Sequence, residues 1–224
     1  MDSTLVQIPN CMSSEFVPHL ERFRHQSTLH GQAHVARVMV HALRLLDATR
    51  QPHEGTRLWA AVFLHDLART HDGVDQEHGA DAMERFRNEP DLRERLKLGG
   101  VTSADLPAIE KAVTLHCQPA DCEPPRHHDY WMLVALLKDA DALDRVRLGD
   151  LDTSFLHFKV SVAMVPFAQA LFDRSQHLQT GPDYFDQLLE VAEKILEPPK
   201  PKPQPTPKAP AAKLTPTLKK PPKA

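Results

Sequence analysis

The stretch Leu58-Trp-Ala-Ala-Val-Phe-Leu-His65-Asp66 decides the fold, because it places a histidine and a carboxylate within an apolar helical pattern. Leu58, Ala61, Val62 and His65 recur at the 3.6-residue period of an α-helix, and the neighbouring stripe ends at Asp66. Both polar groups therefore point toward a core. A buried carboxylate is costly unless it is paired or bound to a metal, and the adjacent imidazole offers nitrogen to the same cation. The doublet predicts a metal site inside a helical domain.

Two other His-Asp doublets do not carry this prediction. His71-Asp72 and His128-Asp129 lie in polar, turn-forming segments, where solvated side chains are ordinary. With 14 histidines in 224 residues, such doublets also arise by chance. Only the His65-Asp66 doublet interrupts a hydrophobic pattern.

Two further metal ligands are predicted by the same argument. His34 borders the apolar face of a helix that follows Gly31, and the apolar run 131–137 leads directly into Asp139, Asp141 and Asp144. At least one of these three carboxylates must point into the core. His34, His65, Asp66 and one aspartate give two nitrogen and two oxygen ligands, a set that suits zinc, manganese, iron or cobalt better than calcium.

Four blocks of the chain resemble successive motifs of small bacterial proteins of the HD-domain superfamily, over residues 28–158. The blocks are Gly31-Gln-Ala-His34-Val-Ala-Arg37-Val38, Phe63-Leu-His65-Asp66, Glu77-His78-Gly79 and Asp139-Ala-Asp141-Ala-Leu143-Asp144. The resemblance implies a divalent metal ion (Mn, Zn, Co, Fe or Mg) held by His34, His65, Asp66 and Asp141. It makes Asp139 an outer-shell or substrate group and Asp144 an outer-shell group. One departure is Ala142, where related sequences often carry a basic residue.

His78 and His116 are candidates for a second metal or for phosphate contact, because similar positions serve in dinuclear members of the superfamily. Simpler interpretations exist for both. His78 follows a polar loop, and His116 ends a helix, where a histidine complements the helix dipole.

The candidate catalytic residues are Asp66, which would also position a water, and three other polar side chains. Arg37 and Arg69 are predicted phosphate anchors, since a guanidinium binds phosphate oxygens in a bidentate manner. Asp72 lies in the polar loop 70–77 and is a candidate for orienting a water. Surface salt bridges and solvated turns explain these residues almost as well.

The chain is predicted to be all-α, with one HD-type helical domain at residues 1–197 containing about six to nine helices. Pro166 is expected to break the stretch 154–177 into two helices. The proline-containing segment 118–128 is predicted to be a stiff loop, either a plain connector or a substrate lid. A final helix is expected to begin at Pro182-Asp183 and to end near Leu196.

Composition changes abruptly at residue 198. The segment 198–224 holds ten prolines and seven lysines and has no acidic residue, so a disordered tail is predicted. Because the net charge of −3 includes these seven positive charges, residues 1–197 carry −10. The tail could bind an acidic or a polyproline-recognising partner, or act as a solubilising extension. Nucleic acid is disfavoured as a ligand of the acidic body.

Targeting and redox signals are weak. Cys11, Cys117 and Cys122 are odd in number and lack a zinc-knuckle spacing, so reduced thiols are expected. No secretory signal pattern and no membrane-spanning segment is evident, and we therefore expect a cytoplasmic protein without membrane insertion.

These features, with the resemblance, predict hydrolysis of a small phosphate ester or nucleotide by a metal-activated water. Two alternatives remain open. One is a di-iron oxygenase built on the six-ligand version of the HD site. The other is a metal-containing sensor or scaffold that acts through its basic, proline-rich tail.

Overall fold

The computed structural model describes residues 13–197, and this part of the chain is all-α, with eight α-helices, six short 3-10 segments and no β-strand. The predicted disordered tail at 198–224 and the thiol of Cys11 lie outside the described residues. The helices are α1 (Gln32–Ala48), α2 (Gly55–Leu64), α3 (His78–Asn88), α4 (Pro90–Leu98), α5 (Leu106–Leu115), α6 (Trp131–Leu143), α7 (Lys159–Ser175) and α8 (Tyr184–Leu196).

Four helices form the centre of the fold. Helix α1 packs against α2 and α6, and α5 packs against the other side of the α2–α6 pair. Their facing sides are apolar and fully buried, as at Val38, Trp59, Ile109 and Leu136. Burial of side chains of this size stabilises the folded state by about 1.5–3 kcal/mol each before conformational entropy is subtracted. All the candidate ligands except His78, which begins α3, lie on these helices or directly after them.

The remaining helices cover the two sides of this centre. Helices α7 and α8 pair with each other and pack on α1, whereas α3 packs on α5 and carries α4 on its outer side. The contact between α3 and α5 is unusually close. A Cβ atom at Gly79 would lie 2.2 Å from the carbonyl oxygen of Val113, so only glycine allows this approach. The start of α3 is thereby held against the end of α5.

The predicted break at Pro166 is wrong, because α7 continues through this residue. A proline inside a helix removes one backbone hydrogen bond and costs about 3 kcal/mol. In α7 this cost is offset by the buried side chains of Met164, Phe167, Ala168 and Leu171 on the face that contacts the core. Tertiary packing therefore overrides the local signal.

Other boundaries follow the sequence more closely. Helix α8 begins at Tyr184, directly after Pro182-Asp183, and ends at Leu196, as predicted. The segment 118–130 is a connection between α5 and α6 with a short 3-10 turn at Ala120–Cys122. Among the helices of residues 13–197, none combines the length and the apolar character required to cross a membrane.

Candidate metal centre

Six imidazole and carboxylate side chains converge where α1, α2, α3, α5 and α6 meet. Except for the adjacent doublet, they are distant in sequence, and helix packing alone brings them together. They are His34 in α1, His65 and Asp66 directly after α2, His78 at the start of α3, His116 directly after α5, and Asp141 in α6. All four ligands predicted from the sequence, together with the two second-metal candidates, therefore lie in one cluster.

The first half-site consists of His34, His65 and Asp141. The Nε2 atom of His34 lies 3.3 Å from Nε2 of His65 and 3.3 Å from Oδ1 of Asp141. Oδ2 of Asp66 lies 3.4 Å from the same His34 nitrogen. Atoms at these separations can all reach one ion at the 2.0–2.2 Å bond lengths typical of zinc and similar metals.

The second half-site consists of His78 and His116, whose Nε2 atoms are 2.8 Å apart. Oδ1 of Asp66 lies 3.1 Å from Nε2 of His78. Since the other oxygen of Asp66 faces His34, this carboxylate lies between the two half-sites. The thiol of Cys117 is a further potential donor near His78 and His116.

The hydrogen bonds of the imidazoles show which nitrogen of each ring is available. In all four rings, Nδ1 contacts an oxygen that can only accept a hydrogen bond, so Nδ1 carries the proton and Nε2 carries the lone pair of the neutral ring. The acceptors are the Asp144 carboxylate for His34 at 2.8 Å, and the carbonyls of Val62 for His65 at 2.7 Å, of Asp75 for His78 at 2.6 Å and of Val113 for His116 at 2.6 Å.

In each half-site, therefore, the lone pairs of two Nε2 atoms face each other. Two neutral Nε2 atoms cannot hydrogen-bond to one another, so each pair requires a positive ion between its members, either a proton or a metal ion. This is the orientation of metal-binding histidines, in which Nδ1 is fixed by an outer acceptor. The donor chemistry fits a divalent metal, and these buried His and Asp groups can hold one.

The pKa values of the carboxyl and imidazole groups in the cluster also indicate that it requires positive charge. Burial disfavours ionisation of Asp66 and Asp141, but the imidazoles around them hold the pKa of both carboxyls below the usual range. Burial lowers the pKa of His78, yet its contact with Asp66 raises it to about 10. For His116, burial lowers the pKa to about 3. Protons on some imidazoles thus balance the carboxylates, and a divalent cation can supply the same charge.

Asp144 forms the outer layer behind His34. Its carboxylate is fully buried, accepts from Nδ1 of His34, and binds Arg37 through Nε at 2.6 Å and Nη2 at 3.0 Å. Arg147 donates to its backbone carbonyl at 3.0 Å. The carboxyl keeps a pKa of about 2 despite burial, because of His34 and Arg37. Asp144 thus lies directly behind His34 and outside the six converging side chains.

The placement of Arg37 corrects its predicted role as a phosphate anchor. Its guanidinium is buried, forms a bidentate ion pair with Asp144, and lies over the ring of Phe172 at 5.3 Å from the centroid. Removing it from this pair to bind a substrate would leave a buried charge unpaired, which costs several kcal/mol. Arg37 supports the cluster from behind.

Arg69 lies at the edge of the cluster. Its Nε donates to Oδ1 of Asp66 at 3.0 Å, and its Nη1 donates to the carbonyl of Gly73 at 3.1 Å. The side chain is 11% exposed. Arg69 therefore faces the candidate centre, as expected for a phosphate anchor, but in this arrangement it holds Asp66.

Asp139 does not have the predicted outer-shell position. It is fully buried, but its carboxylate accepts from the backbone N–H groups of His157 and Phe158, from the His157 ring and from the Ser161 hydroxyl. These contacts cap the start of α7. The reason is helical geometry, because Asp139 and Asp141 are two positions apart in α6 and so face different directions.

Asp139 belongs to a group of four residues, which we call the loop anchor. It consists of Asp139, His157, Glu123 and Lys138. The His157 ring bridges the carboxylates of Asp139 and Glu123, at 2.6 and 2.8 Å, and Lys138 contacts Glu123 at 2.6 Å and the Gln118 carbonyl at 2.8 Å. Burial lowers the pKa of His157, but both carboxylates raise it above its usual value. The loop anchor ties the segment 118–130 to α6 and α7.

Asp72 lies at the surface and not within the cluster. Its carboxylate accepts a hydrogen bond from the Ser27 hydroxyl and faces Nε2 of His25 at 3.4 Å. Its predicted catalytic role is therefore not supported by direct contact with the ligands. Asp72 instead holds the segment that precedes α1.

Sequence reasoning missed His30. Its Nδ1 atom lies 3.3 Å from Oδ2 of Asp66, and its ring stands edge-on to His34 with 5.7 Å between centroids. His30 precedes α1 and belongs to no helical pattern, so periodicity gave no signal. The adjacent Gly31 could have given one, since a glycine before a histidine-bearing helix suggests a close backbone approach.

One side of the cluster faces solvent. The side chain of Asp141 is 30% exposed, whereas the other five candidate ligands are buried. Asp141 is therefore the candidate ligand through which the cluster meets solvent. Comparison of the chain with protein-family models, curated proteins and solved structures gives no match.

Proposed function

We propose that this protein is a metal-dependent phosphohydrolase of the HD-domain superfamily that acts on a small phosphate ester or nucleotide. The observation that carries the proposal is the cluster itself, in which two half-sites lie on either side of Asp66 and open to solvent at Asp141. A closed structural site would bury all its ligands and leave no position for a substrate.

The donor set favours particular metals. Four imidazole nitrogens and two carboxylates suit manganese, iron, cobalt or zinc. Calcium prefers six to eight oxygen ligands, and magnesium usually retains several waters, so both fit this set less well. The two half-sites provide positions for two ions, of which the first has the larger number of protein ligands.

A divalent cation bound here would polarise phosphoryl oxygens and lower the pKa of a water toward neutrality. The protein side chains have separate tasks. His34, His65 and Asp141 hold the first half-site, and Asp144 keeps the His34 ring in the correct orientation through Nδ1. Asp66 joins the half-sites and presents an oxygen to each.

The charge of the phosphate must be neutralised mainly by the metal. Arg37 is committed to Asp144, and Arg69 is hydrogen-bonded to Asp66. Arg69 remains the nearest candidate cation for a phosphate oxygen, because it lies at the edge of the cluster with a partly exposed side chain. A bidentate contact with phosphate would use the terminal N–H groups of Arg69, of which Nη1 also donates to the Gly73 carbonyl.

A di-iron oxygenase is the second candidate, and a specific observation favours it. The six donors fall into two half-sites that share one carboxylate, an arrangement that also suits a pair of iron ions. Activation of oxygen and hydrolysis would use the same ligands, so the reaction itself must distinguish them.

The experiment is hydrolysis of a panel of nucleotides and small phosphate esters by protein reconstituted with manganese, cobalt, zinc or iron, in air and under nitrogen. We expect turnover that a chelator abolishes, that the metal restores, and that oxygen does not affect. His34→Ala should lower the rate by orders of magnitude, whereas Asp129→Asn, in a doublet outside the cluster, should not. Iron-dependent oxygen consumption with no phosphate release would replace this proposal with the oxygenase.

A further inference from the structure

The orientation of His30 sets it apart from the other imidazoles of the centre. Oδ2 of Asp66 faces Nδ1 of His30, and an ionised carboxylate, as a metal ligand must be, can only accept a hydrogen bond. Nδ1 of His30 is therefore the donor in their 3.3 Å contact, and the lone pair of the neutral ring lies on Nε2.

The Nε2 atom of His30 is open to solvent. The side chain is 16% exposed, and within residues 13–197 this nitrogen has no hydrogen-bond partner and is not among the buried unpaired atoms. The rings of His34, His65, His78 and His116 are all buried, and their Nε2 atoms face one another or the carboxylates. His30 thus contacts the centre through Nδ1 and faces solvent through Nε2.

The backbone around His30 is shaped to hold this position. The Ser27 hydroxyl oxygen accepts the backbone N–H groups of Leu29 at 2.9 Å and His30 at 2.8 Å, and its own proton goes to Asp72. At Gly31, a Cβ atom would lie 2.2 Å from the carbonyl oxygen of Ser27, so the turn closes only with glycine. A loop fixed in this way places the His30 ring in one orientation.

We propose that His30 is a catalytic residue of the centre, which accepts a hydrogen bond from the attacking water through Nε2 and aims its oxygen at the phosphorus atom. This inference rests on the proposed phosphohydrolase function. The water oxygen would bond to phosphorus as the bond from phosphorus to the leaving oxygen breaks, and the proton of the water would pass through solvent to that leaving oxygen. His30 orients the water and does not itself take the proton, as a water-positioning side chain does in other phosphoryl-transfer sites. The bond from Nδ1 to Asp66 fixes the plane of the ring and hence the direction of Nε2.

Two substitutions separate this role from that of a mere support for Asp66. His30→Asn keeps an N–H donor near the position of Nδ1 and removes the group at Nε2, whereas His30→Gln places its amide near the position of Nε2. We expect His30→Asn to retain full metal content and KM, with kcat lowered about 100-fold by the loss of water positioning. His30→Gln should retain more activity than His30→Asn. His53→Asn, at an exposed histidine outside the cluster, serves as the control with unchanged kcat.

Three results would overturn the inference. If His30→Asn keeps the kcat of the unchanged protein, His30 only holds Asp66. If His30→Asn loses bound metal in elemental analysis, His30 is a ligand. If the loss appears in KM and not in kcat, the residue contributes uniform substrate binding and does not orient the water.

A measurement independent of turnover uses diethyl pyrocarbonate, which modifies accessible imidazole nitrogens, on the cobalt-loaded protein. Mass spectrometry should find His30 modified and the four buried imidazoles unmodified. Inorganic phosphate should change the visible cobalt spectrum and protect His30, while exposed His53 stays reactive. A changed cobalt spectrum without protection would refute the role of His30 and leave the proposed function standing. If phosphate leaves the cobalt spectrum unchanged, the proposed function fails, and the inference fails with it.

Discussion

Removal of the Asp144 carboxylate tests the layer behind the candidate centre. The side chain is fully buried and holds three partners, since it accepts from His34, forms a bidentate pair with Arg37 and lies 3.4 Å from Arg147. Asp144→Ala would leave the buried guanidinium of Arg37 without its counter-charge. Breaking one partner of a buried ion pair costs about 3–5 kcal/mol.

The same substitution should weaken metal binding, because the Nδ1 atom of His34 loses its acceptor. Loss of such an outer partner lowers metal affinity by about 10- to 100-fold. The two effects are separated by working first with chelator-treated protein. Urea denaturation, followed by circular dichroism, gives the free energy of unfolding without metal, and titration with cobalt then gives the dissociation constant.

The matched control for this experiment is Asp150→Ala, which removes a carboxylate from an exposed ion pair with Arg145. Exposed pairs contribute about 0–1 kcal/mol, so this variant should unfold almost like the unchanged protein. A loss of less than 1 kcal/mol in metal-free Asp144→Ala would refute the account of the buried ion pair. An unchanged cobalt affinity would refute the account of the His34 orientation.

Two further predictions follow from the packing. Gly79→Ala should destabilise the protein by about 1–3 kcal/mol and halve its metal content, because its Cβ atom would lie 2.2 Å from the Val113 carbonyl oxygen and push α3 away from α5. Gly181→Ala, which meets no atom within 4 Å, is the control, and equal melting temperatures for the two variants would argue against the close contact. The second prediction concerns His157, whose raised pKa means that its bridge in the loop anchor stabilises the fold fully below about pH 6.5 and is lost as pH rises through the raised value. In chelator-treated protein, His157→Gln should flatten the fall in unfolding free energy as the pH rises above about 6.5, and identical pH profiles would show that the bridge does not form.

The sequence predicts the core of the centre well because burial leaves a clear pattern. A polar doublet at core positions of an apolar helix is costly without a partner, and His65 and Asp66 are indeed 0% and 3% exposed. The all-α class and the start of α8 follow from periodicity and from proline placement. These features depend on residues that are close in sequence.

The partners of individual side chains are less predictable. Arg37 and Asp144 are 107 residues apart, and no local pattern indicates their ion pair, so the sequence alone favours a phosphate anchor at Arg37. Periodicity also does not indicate whether Asp139 or Asp141 is the candidate metal ligand, because α6 is apolar on nearly every side. The packing of α6 decides it, since it turns Asp141 toward His34 and Asp139 toward α7.

Metal stoichiometry is the most direct test of the central claim, which is that His65 and Asp66 belong to a metal centre with two half-sites. Elemental analysis of manganese- or zinc-reconstituted protein should find close to two ions per chain, about one in His116→Ala and none in Asp66→Ala. Asp72→Ala and Asp129→Ala, from the two doublets outside the cluster, should keep the full content. Full metal retention in Asp66→Ala, or no bound metal in the unchanged protein, would contradict the account.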